Sequence, residues 1–330
     1  MSDERRGDGP TFSSIVRRSG LSREEFDREY REPNLPVVMT DALTDWPALG
    51  KWTLPWFEQQ HGNQPVTVDV SVAGESYFDR LHRGENLSRE TTLGELIREI
   101  RNEPACQYYL AESAFLDSVP ELFADIPTPR YHPPGRALTR RFWLGPANTV
   151  SGFHQDSAGQ LAPTCILFAQ IYGRKRVVLA SPDQSHLMYP ARASRVAASS
   201  LVDLDALDDE RFPLFREARL EETIVGPGDM LFIPERYWHY LRSLEPSISL
   251  SNDWNESEVL DLIAHLVNAD DPVAFAREHA GIVRRADIEV FPGGLQAAID
   301  ALRELPQDLQ ELVTVLVEPE LHALLAAEGS

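Results

Sequence analysis

At 330 residues, with 42% apolar and 25% charged residues, the chain is long enough for one sizeable core plus an accessory piece and has the make-up of a soluble globular protein. A formal net charge of −21 argues against tight binding to nucleic acid, because that affinity comes from Lys and Arg displacing counterions, and it favours a neutral or cationic partner. Two cysteines, Cys106 and Cys165, exclude a disulfide framework, so a reducing cytoplasm is the expected compartment. No run approaches the roughly 18 apolar residues of a membrane span, and Met1 to Pro10 lack the apolar stretch of a secretory signal.

In chain order, residues 1–20 are expected to form a flexible tail. Residues 21–107 read as α/β elements leading into a core. Ser22 and Glu25 have capping-box spacing and start a short helix, which Pro33 and Pro36 close. Pro36 to Met39 reads as a buried strand, and a helix is expected through Trp56 and Phe57 after the aromatic turn Trp46 to Trp52. Gln64 to Val72 places Val66, Val68, Val70 and Val72 at the period of a half-buried strand. Thr92 to Ile100 is predicted helical, with Leu93, Leu96, Ile97 and Ile100 on one face.

From 108 to 255 the texture changes to short apolar runs punctuated by Gly and Pro. Strands are predicted at Arg141 to Leu144, Ile166 to Ile171, Arg176 to Ala180, Asp229 to Ile233 and Ser247 to Ser251, which argues for an antiparallel sandwich or barrel. Residues 256–330 are predicted helical. Asp271-Pro272 supplies an N-cap and a proline at the first helical position. Apolar stripes run through Leu295, Ala298, Ile299 and Leu302 and through Leu309, Leu312, Val313 and Leu316. They are expected to pack on the core or against a second subunit.

The chemistry centres on Ser151-Gly152-Phe153-His154-Gln155-Asp156. In an extended segment residues two apart point the same way, so His154 and Asp156 are able to reach one metal together. His239, after the turn Gly226-Pro227-Gly228 and the apolar run Met230 to Ile233, is the candidate third ligand. Two imidazoles and a carboxylate on one face of an octahedron suit a non-haem Fe(II) oxygenase with open positions. A His-x-Asp string arises often by chance, so the context decides. Tyr237, Trp238 and Tyr240 flank His239 as core or as a dry wall, and Trp238 is taken as a substrate-pocket residue. Lys51 and Lys175 are the only lysines, which makes each worth inspecting.

Phe168 to Arg176, Ser181-Pro182-Asp183-Gln184, Met188-Tyr189-Pro190 and Gly226 to His239 resemble JmjC-domain (cupin-like) oxygenases, as do Pro36-Val37-Val38, Asp45-Trp46-Pro47-Ala48 and Lys51-Trp52 upstream. The similarity spans roughly Leu35 to Trp254 and includes a resemblance to the asparaginyl-hydroxylase type that acts on hypoxia-inducible factor. It implies a mainly β, double-stranded β-helix (jelly-roll) core over 108–255. The implied activity is 2-oxoglutarate-dependent hydroxylation, with Fe(II) and O2, of a protein, peptide or amino-acid substrate, releasing succinate and CO2. By the same resemblance His154, Asp156 and His239 are iron ligands, and Lys175 pairs with the distal carboxylate of 2-oxoglutarate. Ser151 donates to that carboxylate. Tyr109, with Tyr108 as its rival, reaches the cofactor. Asn252 is a cofactor contact, and Trp254 lines the inner pocket. The resemblance also implies a homodimer through the C-terminal helices. Two departures stand out: extra residues from Ser157 to Thr164, and Ile166 where many members carry asparagine. A non-catalytic cupin-type binding protein is the rival from another class.

Overall fold

In the computed structural model of the chain, the described residues are 9–70, 88–103, 106, 108–113, 115–158, 162–191, 197–255, 266, 269, 271–278, 280 and 307–316. Among the described residues sixteen strands follow one another: β1 (Thr11–Ser14), β2 (Arg17–Arg18), β3 (Val37–Met39), β4 (Pro65–Val70), β5 (Ser88–Thr92), β6 (Tyr108–Ser113), β7 (Thr139–Gly145) and β8 (Val150–Ala158). They continue as β9 (Ala162–Pro163), β10 (Cys165–Tyr172), β11 (Lys175–Ala180), β12 (Ala197–Ser199), β13 (Arg219–Val225), β14 (Met230–Ile233), β15 (Trp238–Ser243) and β16 (Ser247–Trp254). One sheet has the order β1-β13-β11-β15-β8-β12, with β9 hydrogen-bonded to β8. The other runs β2-β3-β14-β10-β16-β7-β6-β4-β5. The crossovers between two facing sheets are those of the expected jelly roll.

The strands explain their own composition. Ile166 and Phe168 of β10, Val177 and Leu179 of β11, and Leu231 and Ile233 of β14 meet in one cluster between the sheets. The alternate residues Leu167, Ala169, Met230 and Phe232 face a second cluster under the N-terminal helices. Val178, Ala180, Trp238 and Tyr240 face a third, beneath the segment holding Leu187, Met188 and Phe215. Both faces of the central strands are therefore buried, and their sequences read as nearly unbroken apolar runs.

The expected N-terminal elements form, and each has a local cause. Ser22 and Glu25 make a reciprocal capping box on the helix Arg23–Phe26. Thr92 and Glu95 do the same for Leu93–Asn102, whose Leu93, Leu96, Ile97 and Ile100 are all buried. The helix Leu54–His61 carries Phe57 into the same cluster. Lys51, one of the two lysines, is structural: its Nζ lies 2.7 Å from Asp125 Oδ2, which also accepts a hydrogen bond from Trp52 Nε1 at 2.9 Å.

The flexible tail expected over residues 1–20 is corrected for residues 11–18, whereas residues 1–8 lie outside the described residues. β1 pairs in parallel with β13 from Thr11↔Arg219 to Ser14↔Glu222, and β2 pairs with β3. Between them Ile15 is buried in the inter-sheet cluster, and Arg17 donates to both oxygens of Asp229. The extra residues after Asp156 form a hairpin in which Ser157 faces Pro163 and Ala158 faces Ala162. In the C-terminal region, Asp271 Oδ1 accepts from Ala274 N at 2.9 Å and caps the helix Pro272–Glu278. That helix packs on Gln307–Leu316, where Val313 and Leu316 are buried. The stripe from Leu295 to Leu302 lies outside the described residues, and so does most of the segment expected to pair two subunits.

Trp254 ends β16 with its ring stacked on Phe232 at 6.0 Å and 15° and edge-on to His132. A side chain this enclosed leaves a cavity when truncated, so Trp254→Ala is expected to lower unfolding free energy by about 3–5 kcal/mol in urea titrations. A loss within experimental error would mean that this ring does not support the sheet.

Candidate active site

β8 and β15 are antiparallel neighbours, and their register sets His239 directly opposite His154. Asp156 follows two residues along β8 on the same face. The two imidazole centroids are 4.0 Å apart. Asp156 Oδ1 lies 3.5 Å from His154 Nε2, and Oδ2 lies 3.7 Å from His239 Nε2. One donor atom from each residue falls within 4.8 Å of the others, the only such His, Cys, Asp and Glu group among the described residues.

Both histidines are held for ligation. His154 Nδ1 lies 2.7 Å from the Gly152 carbonyl, and His239 Nδ1 lies 3.1 Å from the Tyr237 carbonyl. A carbonyl accepts only from a protonated Nδ1, so in each ring Nε2, which faces Asp156, is the nitrogen available to a metal. Burial, reinforced by the neighbouring His239, lowers His154 to about 3, which leaves it the neutral donor a metal requires. Two nitrogens, one carboxylate and no sulfur fit Fe(II) in a facial arrangement.

Between Leu241↔Ser151 and His239↔His154 the register slips, with three steps on β8 against two on β15. This β-bulge at Gly152-Phe153 shifts the side-chain phase by one. Ser151, an odd number of residues from His154, therefore lines the same cleft as His154 and Asp156. Phe153 is turned outward against Phe215 and Tyr240.

Lys175 enters the cleft from β11. It is 3% exposed, its Nζ donates to Tyr109 Oη at 3.2 Å, and it lies over the Phe168 ring. Among the described residues no carboxylate pairs with it. Tyr109 lines the cleft, whereas its rival Tyr108 stacks under the Arg89 guanidinium at 3.8 Å. Ile166, Ile233 and Leu241 supply apolar wall. Ile166 thus offers no polar contact where an amide is common in the resembled family.

Three expectations are corrected, all by strand phase. On β16, Ser249 and Ser251 face inward, so Asn252 and Trp254 face the helices. Asn252 donates to the Leu167 carbonyl at 3.0 Å and accepts from Arg140 Nε at 3.2 Å; it does not line the cleft. Trp254 is core, as described above. Trp238, adjacent to inward His239, points the other way and donates from Nε1 to Ser185 Oγ at 2.9 Å. Sequence reasoning missed Ser251 and Trp143, both in the wall. The signal lay in β7, where core-facing Phe142 and Leu144 oblige Trp143 to face the other side. Arg141, also on the inner side, is paired with Asp253 at the same end of the sheet.

Desolvation lowers Lys175 from the ordinary lysine range to about 7. An unfolded lysine titrates near ~10.4, so between about 7 and ~10.4 the unfolded chain binds this proton more tightly than the folded one. The stability of the ligand-free protein therefore rises with pH across that window, and the penalty is complete below it. Compared with Lys175→Met, the wild type is expected to gain melting temperature between about pH 7 and 9. Parallel profiles for the two proteins would contradict the burial of an unpaired ammonium.

Residues 22–259 match the cupin-like domain family. The chain is 35% identical over 252 residues to the Arabidopsis thaliana protein named lysine-specific demethylase JMJ30, covering 75% of this chain and 56% of that one. It is 35% identical over 239 residues to lysine-specific demethylase 8 of Xenopus tropicalis, covering 71% and 51%. Against HSPB1-associated protein 1 of Homo sapiens the identity is 33% over 243 residues, covering 68% and 48%. The chain spans about half the length of the curated relatives it matches. JmjC-type members of this family are oxidoreductases that use Fe(II), 2-oxoglutarate and O2, and the His154-Asp156-His239 cluster has the facial form such a metal takes. The chain belongs to the cupin-like, JmjC-type domain family.

Proposed function

We propose that the chain is an Fe(II)- and 2-oxoglutarate-dependent hydroxylase acting on a C–H bond of a protein or peptide side chain. The observation that carries this reading is a buried ammonium without a counter-ion, Lys175, in the same cleft as three metal donors. A buried cation of this kind costs stability unless an anion arrives to pair with it. A dicarboxylate long enough to reach both the donors and the ammonium is the ligand such a cleft selects.

His154, Asp156 and His239 would hold the iron. Lys175 Nζ and the hydroxyls of Tyr109 and Ser151 would take the far carboxylate of 2-oxoglutarate, with Ile166 adding no polar contact. Phe168, Ile233 and Leu241 exclude water from the space between. Bound there, the metal and 2-oxoglutarate supply the oxidising power to place one atom of O2 in a C–H bond and the other in succinate, with loss of CO2. The chain's own work is orientation, charge neutralisation and dryness.

A peptide substrate is supported by the names of the relatives, which point to lysyl residues and to a protein partner. The net charge of −21 suits a cationic segment. Removal of an N-methyl group from lysine is the second reading, favoured by the same names. A free amino acid is the small-molecule alternative.

Replacing His154 with Ala is expected to abolish iron-dependent succinate formation while leaving the fold intact; unchanged turnover would remove the metal site from these residues. In mass spectra of candidate peptides, hydroxylation adds about 16 mass units, whereas demethylation removes about 14. Failure to bind iron, together with no 2-oxoglutarate turnover, would return the chain to the binding-protein class. Carboxylate binding also requires Lys175 to be charged. Above about pH 7 the ligand-free lysine must take up a proton on binding, so affinity is expected to fall roughly tenfold per pH unit there. Calorimetry in buffers of different ionisation enthalpy reads that proton directly, and no uptake at about pH 8 would oppose the pairing.

A further inference from the structure

Gly145 ends β7 at a position where the neighbouring strand brings in Tyr109. The pair Leu110↔Leu144 fixes the antiparallel register of β6 against β7, and continuing it by one residue sets Tyr109 opposite Gly145. Leu110 and Leu144 face the helical core, so Tyr109 and Gly145 share the cleft side. A Cβ on residue 145 would stand 2.8 Å from Tyr109 Cε2, 3.3 Å from Cγ and closer still to Cδ2. The Cδ2–Cε2 edge of the phenol ring therefore occupies the space that a side chain at residue 145 would fill. The opposing atoms belong to a ring whose other end is fixed: Tyr109 is 7% exposed, bonded to Lys175 Nζ at 3.2 Å and packed beside Trp143 at 6.0 Å. Gly145 has no positive φ, so its lack of a side chain serves the ring and not the backbone.

We infer that Gly145 is a positioning residue for the carboxylate end of the cleft: the space left by its missing Cβ sets the height of the Tyr109 ring and brings its hydroxyl to Lys175. This rests on the reading that Lys175 and Tyr109 receive 2-oxoglutarate, and it adds a residue that touches neither the cofactor nor the metal. With alanine at 145 the ring stands off the strand, its hydroxyl leaves Lys175, and the ammonium loses its neutral partner.

The test is anaerobic calorimetric titration of 2-oxoglutarate into the full-length protein loaded with Mn(II), compared across Gly145→Ala, Tyr109→Ala, the double variant and Lys175→Met. Gly145→Ala is expected to weaken 2-oxoglutarate binding about tenfold, the size of one hydrogen bond to a charged group, with Mn(II) affinity unchanged. The double variant is expected to bind no more weakly than Tyr109→Ala alone, since removing the ring removes the overlap. Wild-type affinity in Gly145→Ala, or a full additional loss in the double variant, overturns the inference. Should Gly145→Ala fail to fold, the double variant is expected to fold again; failure of both overturns the inference equally. Lys175→Met reports separately on the underlying reading: wild-type affinity there defeats the cofactor assignment, whereas weakened binding there with an unaffected Gly145→Ala defeats only the role of Gly145.

Discussion

An extended strand has two faces, and in this sandwich both faces of the central strands are occupied. Among the described residues, the apolar side chains on β8, β10, β11, β15 and β16 belong either to the space between the sheets or to one of the flanking cores. The metal-donor cluster depends on that restriction. His154 and Asp156 share a face because they are two apart, and His239 joins them because β15 pairs beside β8. Ser151 joins only through the Gly152-Phe153 bulge, which moves the phase by one residue.

Placing polar groups in so dry a space requires each to be satisfied or held for a purpose. The two imidazoles each commit one nitrogen to the backbone carbonyl two residues before them. Gln170 and Ser249 satisfy one another deeper in the same layer. Lys175 finds only a phenol, and its ammonium is accordingly the least comfortable charge in the cleft. The cleft thus has an electron-rich end at the three donors and an electron-poor end at Lys175, with hydrocarbon between.

Much of this was legible in the residues themselves. Capping chemistry at Ser22 and helical spacing at Leu93 to Ile100 are local signals, and the structure keeps both. The triad was legible because two of its members lie two apart in a strand and the third follows a strong turn. What could not be read was strand phase beyond an irregularity. Asn252, Trp254 and Trp238 each sit one residue from an inward position, and one residue is the whole difference between cleft and core. The pairing of β1 with β13 joins residues about 200 positions apart. Nothing local in Thr11 to Ser14 announces such a partner, and a polar, charged N-terminus reads as a tail.

The depressed lysine has a chemical corollary. An amine titrating near 7 is largely unprotonated at slightly alkaline pH and is nucleophilic there, unlike an ordinary surface lysine. The chain's other lysine, Lys51, is engaged with Asp125 and the Trp56 ring. Small acylating or aldehyde reagents that enter the cleft should therefore modify Lys175 with unusual selectivity, giving covalent chemistry a single internal handle beside the three donors.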